Sequence, residues 1–105
     1  MKINFKVALN VFGEDVKDQS GEPVFLNKTL ANLLGSNPHT ETGMSYMDAM
    51  KWAELINKGE DVDLEKSEQE LMKKFIDTNT SLTAFAKKNL SDCFVPSEAK
   101  LKKAV

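Results

Sequence analysis

A chain of 105 residues fits one domain and can bury one modest core. With 41% hydrophobic and 29% charged residues it has the composition of a globular protein, not a disordered chain, and no apolar run approaches the roughly 20 residues that span a bilayer. The net charge is −2 and all fourteen basic residues are lysine. The chain therefore lacks the planar fork with which arginine grips phosphate, carboxylate or a guanine edge.

Residues 3 to 11, "INFKVALNV", alternate. Ile3, Phe5, Val7, Leu9 and Val11 share one face, against Lys2, Asn4, Lys6 and Asn10 on the other, which predicts a strand buried on one side. Turn residues follow at Gly13-Glu14 and at Asp18 to Gly21, with apolar islands at Val16 and Val24-Phe25, so a hairpin or ragged second strand is expected. Pro23 belongs at an edge or a strand start, because it cannot donate to a ladder. The N-terminal stretch "MKINFKVALN" has neither the apolar stretch nor the cleavage site of a signal peptide, and a cytoplasmic location is expected.

The first helix is predicted from Asn27, whose side chain suits a cap, to a stop at Gly35. A polar loop, "SNPHTETG", separates it from a second helix over residues 44 to 57, ended by Gly59. Val62 and Leu64 read as a short extended segment tucked into the core. A third helix over residues 65 to 77 buries Leu71, Met72, Phe75 and Ile76. The fourth, over residues 81 to 94, has the most regular apolar stripe: Leu82, Phe85, Ala86, Leu90, Cys93 and Phe94. Pro96 ends it. The expected architecture is α+β, an N-terminal β-hairpin packed against about four short α-helices in a single domain over residues 1–95, with a basic tail over 96–105.

The second helix is the unusual one. "MSYMDAMKWAELI" holds three methionines, the only tyrosine and the only tryptophan. On a helical wheel Trp52, Ile56, Ala49, Ala53, Tyr46 and Met50 cover an arc of roughly 160°, a normal core face. Met44, Met47 and Leu55 fall outside that arc, among Asp48, Lys51 and Glu54. The helix thus carries more apolar surface than one core face needs: either it is sandwiched between two elements of its own chain, the commoner case for such a stripe, or part of it is covered by another chain, where methionine suits adaptable contacts. Met44, Met47, Lys51 and Leu55 are the expected partner-binding residues. Charge is also uneven: residues 44 to 79 hold nine acidic and five basic side chains, residues 80 to 105 two acidic and five basic. Most of this is solvated surface, but opposite patches can steer copies together head to tail.

Catalytic and metal-binding patterns fail on inspection. Asp61, Asp63 and Glu65 mimic the first three ligand positions of an EF-hand, but the obligatory glycine is Lys66 and the bidentate glutamate is Met72. Their acidic charge near a helix start suits the helix dipole. His39 and Glu41 sit on a polar loop with no second histidine or cysteine at ligand spacing. Cys93, the single cysteine, excludes an internal disulfide and lies on an apolar stripe, the place of a structural thiol. The five glycines stand singly, so no phosphate-cradling loop is present. Neither a catalytic residue, a cofactor, a metal nor a small-molecule substrate is indicated. The pairs Lys73-Lys74, Lys87-Lys88 and Lys102-Lys103 can touch a nucleic-acid backbone, but aromatic residues do not interleave with them.

A leading strand, "GEPVFLNKTLANLL", "YMDAMKWAELI" and "VDLEKSEQELMKKFI" together resemble a loose group of small phage- and prophage-encoded proteins of unassigned function. In that group a G-x-P turn precedes a leucine-rich helix, and an alanine-lysine helix leads to a V-x-L segment, here Val62 and Leu64. The resemblance covers most of residues 13 to 94 and departs in the fourth helix, where glycine-containing contacts of the group are absent. It implies genomic context, not chemistry. The expectation is a non-enzymatic phage or prophage protein that acts in virion assembly or host takeover through contacts with a protein partner or itself, as a homo-oligomer. The alternative is a small nucleic-acid-binding regulator using the lysine pairs of the C-terminal helices.

Overall fold

The computed structural model of the chain describes residues 1–36 and 43–94. Four helices and two small antiparallel sheets make an α+β fold, with hairpin-like strands at the N-terminus. The basic tail, the loop residues His39 and Glu41, and the pair Lys102-Lys103 lie outside the described residues.

The predicted nine-residue strand is divided. Its first part, β1 (Lys2–Ile3), pairs with a later strand, Val62–Asp63, in the register Lys2↔Asp63 and Ile3↔Val62. Its last part, β2 (Asn10–Val11), pairs with β3 (Glu14–Asp15) across the turn Phe12-Gly13. Asn4 explains the break. Its Oδ1 accepts the Lys6 amide at 2.8 Å, while its Nδ2 donates to the Gly59 carbonyl and to Asp61 Oδ1. This Asx turn offers the backbone an alternative to the ladder, and the Val7 amide then folds back on the Phe5 carbonyl at 2.9 Å. Beyond the bend the chain pairs again, through Leu9 amide to Val24 carbonyl and Val24 amide to Val16 carbonyl. The alternation survives in burial only as far as Lys6: Ile3 and Phe5 are buried between exposed neighbours, whereas residues 7 to 11 are all half-buried, with Val7 and Leu9 packed against the core.

The helices are α1 (Asn27–Ser36), α2 (Tyr46–Asn57), α3 (Lys66–Thr78) and α4 (Ala84–Ser91), with β4 (Val62–Asp63) between α2 and α3. A 3₁₀ turn, Asp92–Phe94, extends α4. Each of the last three helices starts at a residue in extended conformation. Ser45 Oγ accepts from the Asp48 amide, Thr83 Oγ1 accepts from the Ala86 amide, and Glu65 with Glu68 forms a capping box before α3. Asn27 acts differently from the predicted cap of its own helix. It is buried, and its Nδ2 donates to the Ile56 carbonyl at 3.0 Å and the Asn57 carbonyl at 3.4 Å, at the far end of α2.

The core is one cluster in which Phe5, Leu30, Val62, Leu64, Met72, Ile76 and Leu90 are sealed from solvent. Val62 and Leu64 flank Asp63 on the buried side, as the V-x-L spacing predicts. Phe5 meets Phe94 edge to face at 5.5 Å, which fastens the 3₁₀ turn to the N-terminal segment.

Candidate interaction surfaces

The start of α2 decides which of its apolar residues are exposed. Ser45 caps the helix, so Met44 precedes it and does not obey the wheel that assigned it to the outer face. Met44 is buried in the core. Leu55 is partly buried and packs against the same core. These two of the four expected partner-binding residues are thus occupied within their own chain, a correction to the sequence reading. The pattern Ser45-x-x-Asp48 was the available signal, because a capping serine followed by an acidic first turn fixes the helix start one residue later.

Tyr46 and Met50 move the opposite way. Predicted on the core arc, they are 75% and 46% exposed, while Met47 is 68% exposed. The buried side of α2 is narrower than the wheel allowed, formed by Ala49, Trp52, Ala53 and Ile56. It packs against α1, whose own buried side is equally narrow, with Leu30, Ala31 and Leu34 as its apolar members. Met50 is left at the margin: its sulfur would lie 3.7 Å from a Cβ at Gly35. Here α1 and α2 leave a shallow groove of about 330 Å³ lined by Ala31, Gly35, Met50 and Ala53 among others. Tyr46, Met47 and Met50 therefore form one uncovered apolar patch on the first two turns of α2. Lys51, exposed one turn after Met47, and Glu54, one turn after Met50, put both signs of charge at its margin.

Phe85, expected on the apolar stripe of the fourth helix, is instead exposed and forms a second aromatic site with Phe12. Phe12 is 90% exposed at the β2–β3 turn and takes φ 53°. Its ring meets Phe85 of α4 edge to face at 5.1 Å. Asn89 reinforces the junction by donating to the Asn10 carbonyl at 3.0 Å. The pair joins hairpin to helix, and no periodicity in the sequence links residues so far apart.

The acidic run serves the scaffold. Asp61 accepts from Asn4, Asp63 accepts from the Met1 amino group at 3.2 Å, and Glu65 caps α3. Among the described residues no group of His, Cys, Asp and Glu is arranged to hold a metal. The Cys93 thiol donates to the Asn89 carbonyl at 3.5 Å, one turn back along the helix. Three of the four described pair lysines are engaged within the chain. Lys73 lies 5.1 Å over the Phe94 ring, Lys87 donates to the Asp77 carbonyl at the end of α3, and Lys88 faces Asp92 at 4.0 Å. Among the described residues no helix is long and apolar enough to cross a membrane. No family model, curated protein or solved structure matches the chain.

Proposed function

We propose that this chain is a non-enzymatic protein of phage or prophage origin that works through protein contacts, and that it self-associates through the N-terminal half of α2. One observation carries the reading: Tyr46, Met47 and Met50 stand together in solvent although the core beneath them is already filled. Covering a methionine fully is worth about 1.5–3 kcal/mol, and tyrosine is a common anchor of interfaces. Lys51 and Glu54 supply the polar rim that such patches carry. The expected contact set therefore shifts to Tyr46, Met47, Met50 and Lys51.

Light scattering on a concentration series of the wild type and of a Met47→Glu/Met50→Glu variant tests this. The wild type is expected to gain mass with concentration while the variant stays monomeric and folded. A wild type that remains monomeric at millimolar concentration removes the proposal. The alternative, a nucleic-acid regulator, draws less support, because Lys87 donates to the Asp77 carbonyl and Lys88 faces Asp92.

A further inference from the structure

On the side of the molecule formed by Lys6, the Asp18–Phe25 connection and the junction of α1 with α2, the surface sinks into a hollow of about 560 Å³. That volume is within the range of small-molecule sites, about 300–1,000 Å³. Its charged lining is Lys6, Lys28, Lys58 and Asp18. Three ammonium groups against one carboxylate make this a positive basin in a chain of net charge −2. Neither of the two ion pairs among the described residues involves these lysines. One oxygen of Asp18 is taken up by its own turn: Oδ1 accepts from the Ser20 hydroxyl at 2.6 Å, the Ser20 amide at 2.9 Å and the Glu22 amide at 3.1 Å.

The lysines come from three separate segments, and the backbone holds one of them in place. Lys6 runs over Gly59, where a Cβ would come within 3.1 Å of the Lys6 Cδ. Gly59 also has φ 77°, a conformation that other residues rarely adopt. The stem of Lys6 is thereby laid along the glycine, and its ammonium sits 5.1 Å from the centre of the Phe25 ring. Phe25 is 40% exposed and gives the hollow an apolar wall. The carbonyl end of α2, which would repel an anion, is covered by the Asn27 amide. The first turn of α1 carries no acidic residue, so its amide end adds to the positive potential.

We infer that this hollow binds a small organic phosphate, with Lys6, Lys28 and Lys58 around the phosphate group and the organic part against Phe25. A phosphate monoester carries about −1.5 to −2 charge at neutral pH, which balances the surplus of ammonium over carboxylate. Lysine binds phosphate as a point charge and needs no fork. The size of the hollow favours a mononucleotide-sized ligand over a duplex, whose backbone would need a long open track.

The test is an amide chemical-shift titration of the full-length chain at low ionic strength, with adenosine monophosphate, inorganic phosphate and a short oligothymidylate as separate probes. Adenosine monophosphate is expected to give saturable shifts at Lys6, Phe25, Lys28 and Lys58, and to bind several-fold tighter than inorganic phosphate. A Lys28→Gln/Lys58→Gln variant, altered only at exposed side chains, should keep its dispersed spectrum and bind about tenfold weaker or worse. Phe25→Leu should bring the affinity for the nucleotide toward that for phosphate. The inference is overturned by the absence of saturation, by equal affinity for nucleotide and phosphate, or by an unchanged affinity in the double variant. Tighter binding of the oligonucleotide with shifts spread over α3 and α4 also overturns it, in favour of a nucleic-acid surface.

Discussion

Phe12 occupies a position that its chemistry disfavours. A two-residue hairpin with positive φ at both turn residues, here 53° and 86°, matches strand twist and is usually made by Asn-Gly. A side chain with Cβ costs about 1–2 kcal/mol in the left-handed region. The edge-to-face contact with Phe85 returns about 0.5–1.5 kcal/mol, so strain and contact nearly offset. Phe12→Asn is therefore expected to leave stability within about 1 kcal/mol of wild type. The double cycle with Phe85→Ala should show a coupling of about 0.5–1.5 kcal/mol in urea unfolding; independent effects of the two changes would mean that the rings do not hold hairpin to helix. Asp18 has a displaced titration. The Ser20 hydroxyl, then the Glu22 amide, hold its carboxyl below the usual aspartate range. A depressed folded value means that its contribution is present above the unfolded pKa and is lost as pH falls through the folded one. An NMR titration should place its midpoint below that of an unstructured aspartate, and Ser20→Ala should raise it.

At the scale of elements, apolar spacing was a better guide than polar side chains. Of the predicted stripe, Leu82, Ala86, Leu90 and Phe94 are buried while Phe85 is exposed and Cys93 half-buried, and the pair Val62 and Leu64 is buried; a period of hydrophobic residues records which face meets the core, not where that face ends. The polar residues with the largest effect on architecture act at distances the sequence does not display. Asn4 reads like any outward strand residue, yet its contacts with Gly59 and Asp61, more than fifty residues away, end β1. Asn27 reads like a helix cap, yet it closes the end of another helix. The wheel failed at α2 for a related reason: it assigns faces but does not say how wide a stripe the neighbour covers, and α1 covers a narrow one. The Asn27 contact yields a prediction for the α1–α2 unit. Asn27→Ala removes a buried donor from two carbonyls, and Ile56 keeps a second donor in the Gly59 amide. The cost should be about 1–3 kcal/mol, read as a lower urea midpoint at unchanged slope. Faster amide exchange should concentrate at residues 56 to 60. A loss below a few tenths of a kcal/mol would show that water replaces the amide freely.

For the whole molecule the question is how copies would meet. The two exposed apolar sites lie on elements that pack apart, α2 against α1 and the Phe12–Phe85 pair between the hairpin and α4. Association using one site against the other would be heterologous and would grow without closing unless the rotation made a ring; association of α2 with α2 is self-complementary and closes at two. The charge division between residues 44 to 79 and 80 to 105 favours the first arrangement, but much of the basic half lies outside the described residues. The bare methionines and Tyr46 favour the second. Three side chains fall well short of the roughly 800 Å² per partner of a standard interface, so the dimer should be weak and concentration-dependent. An apolar contact of this kind should also be nearly indifferent to salt, whereas a head-to-tail contact steered by charge weakens as the Debye length shrinks from about 10 Å at 0.1 M to 3 Å at 1 M. Sedimentation equilibrium is therefore expected to give a mass that levels at two copies, at both ionic strengths, and that is unaffected by Phe12→Asn. A mass that climbs past two, or that falls to one in high salt, would assign association to opposite charge and not to α2.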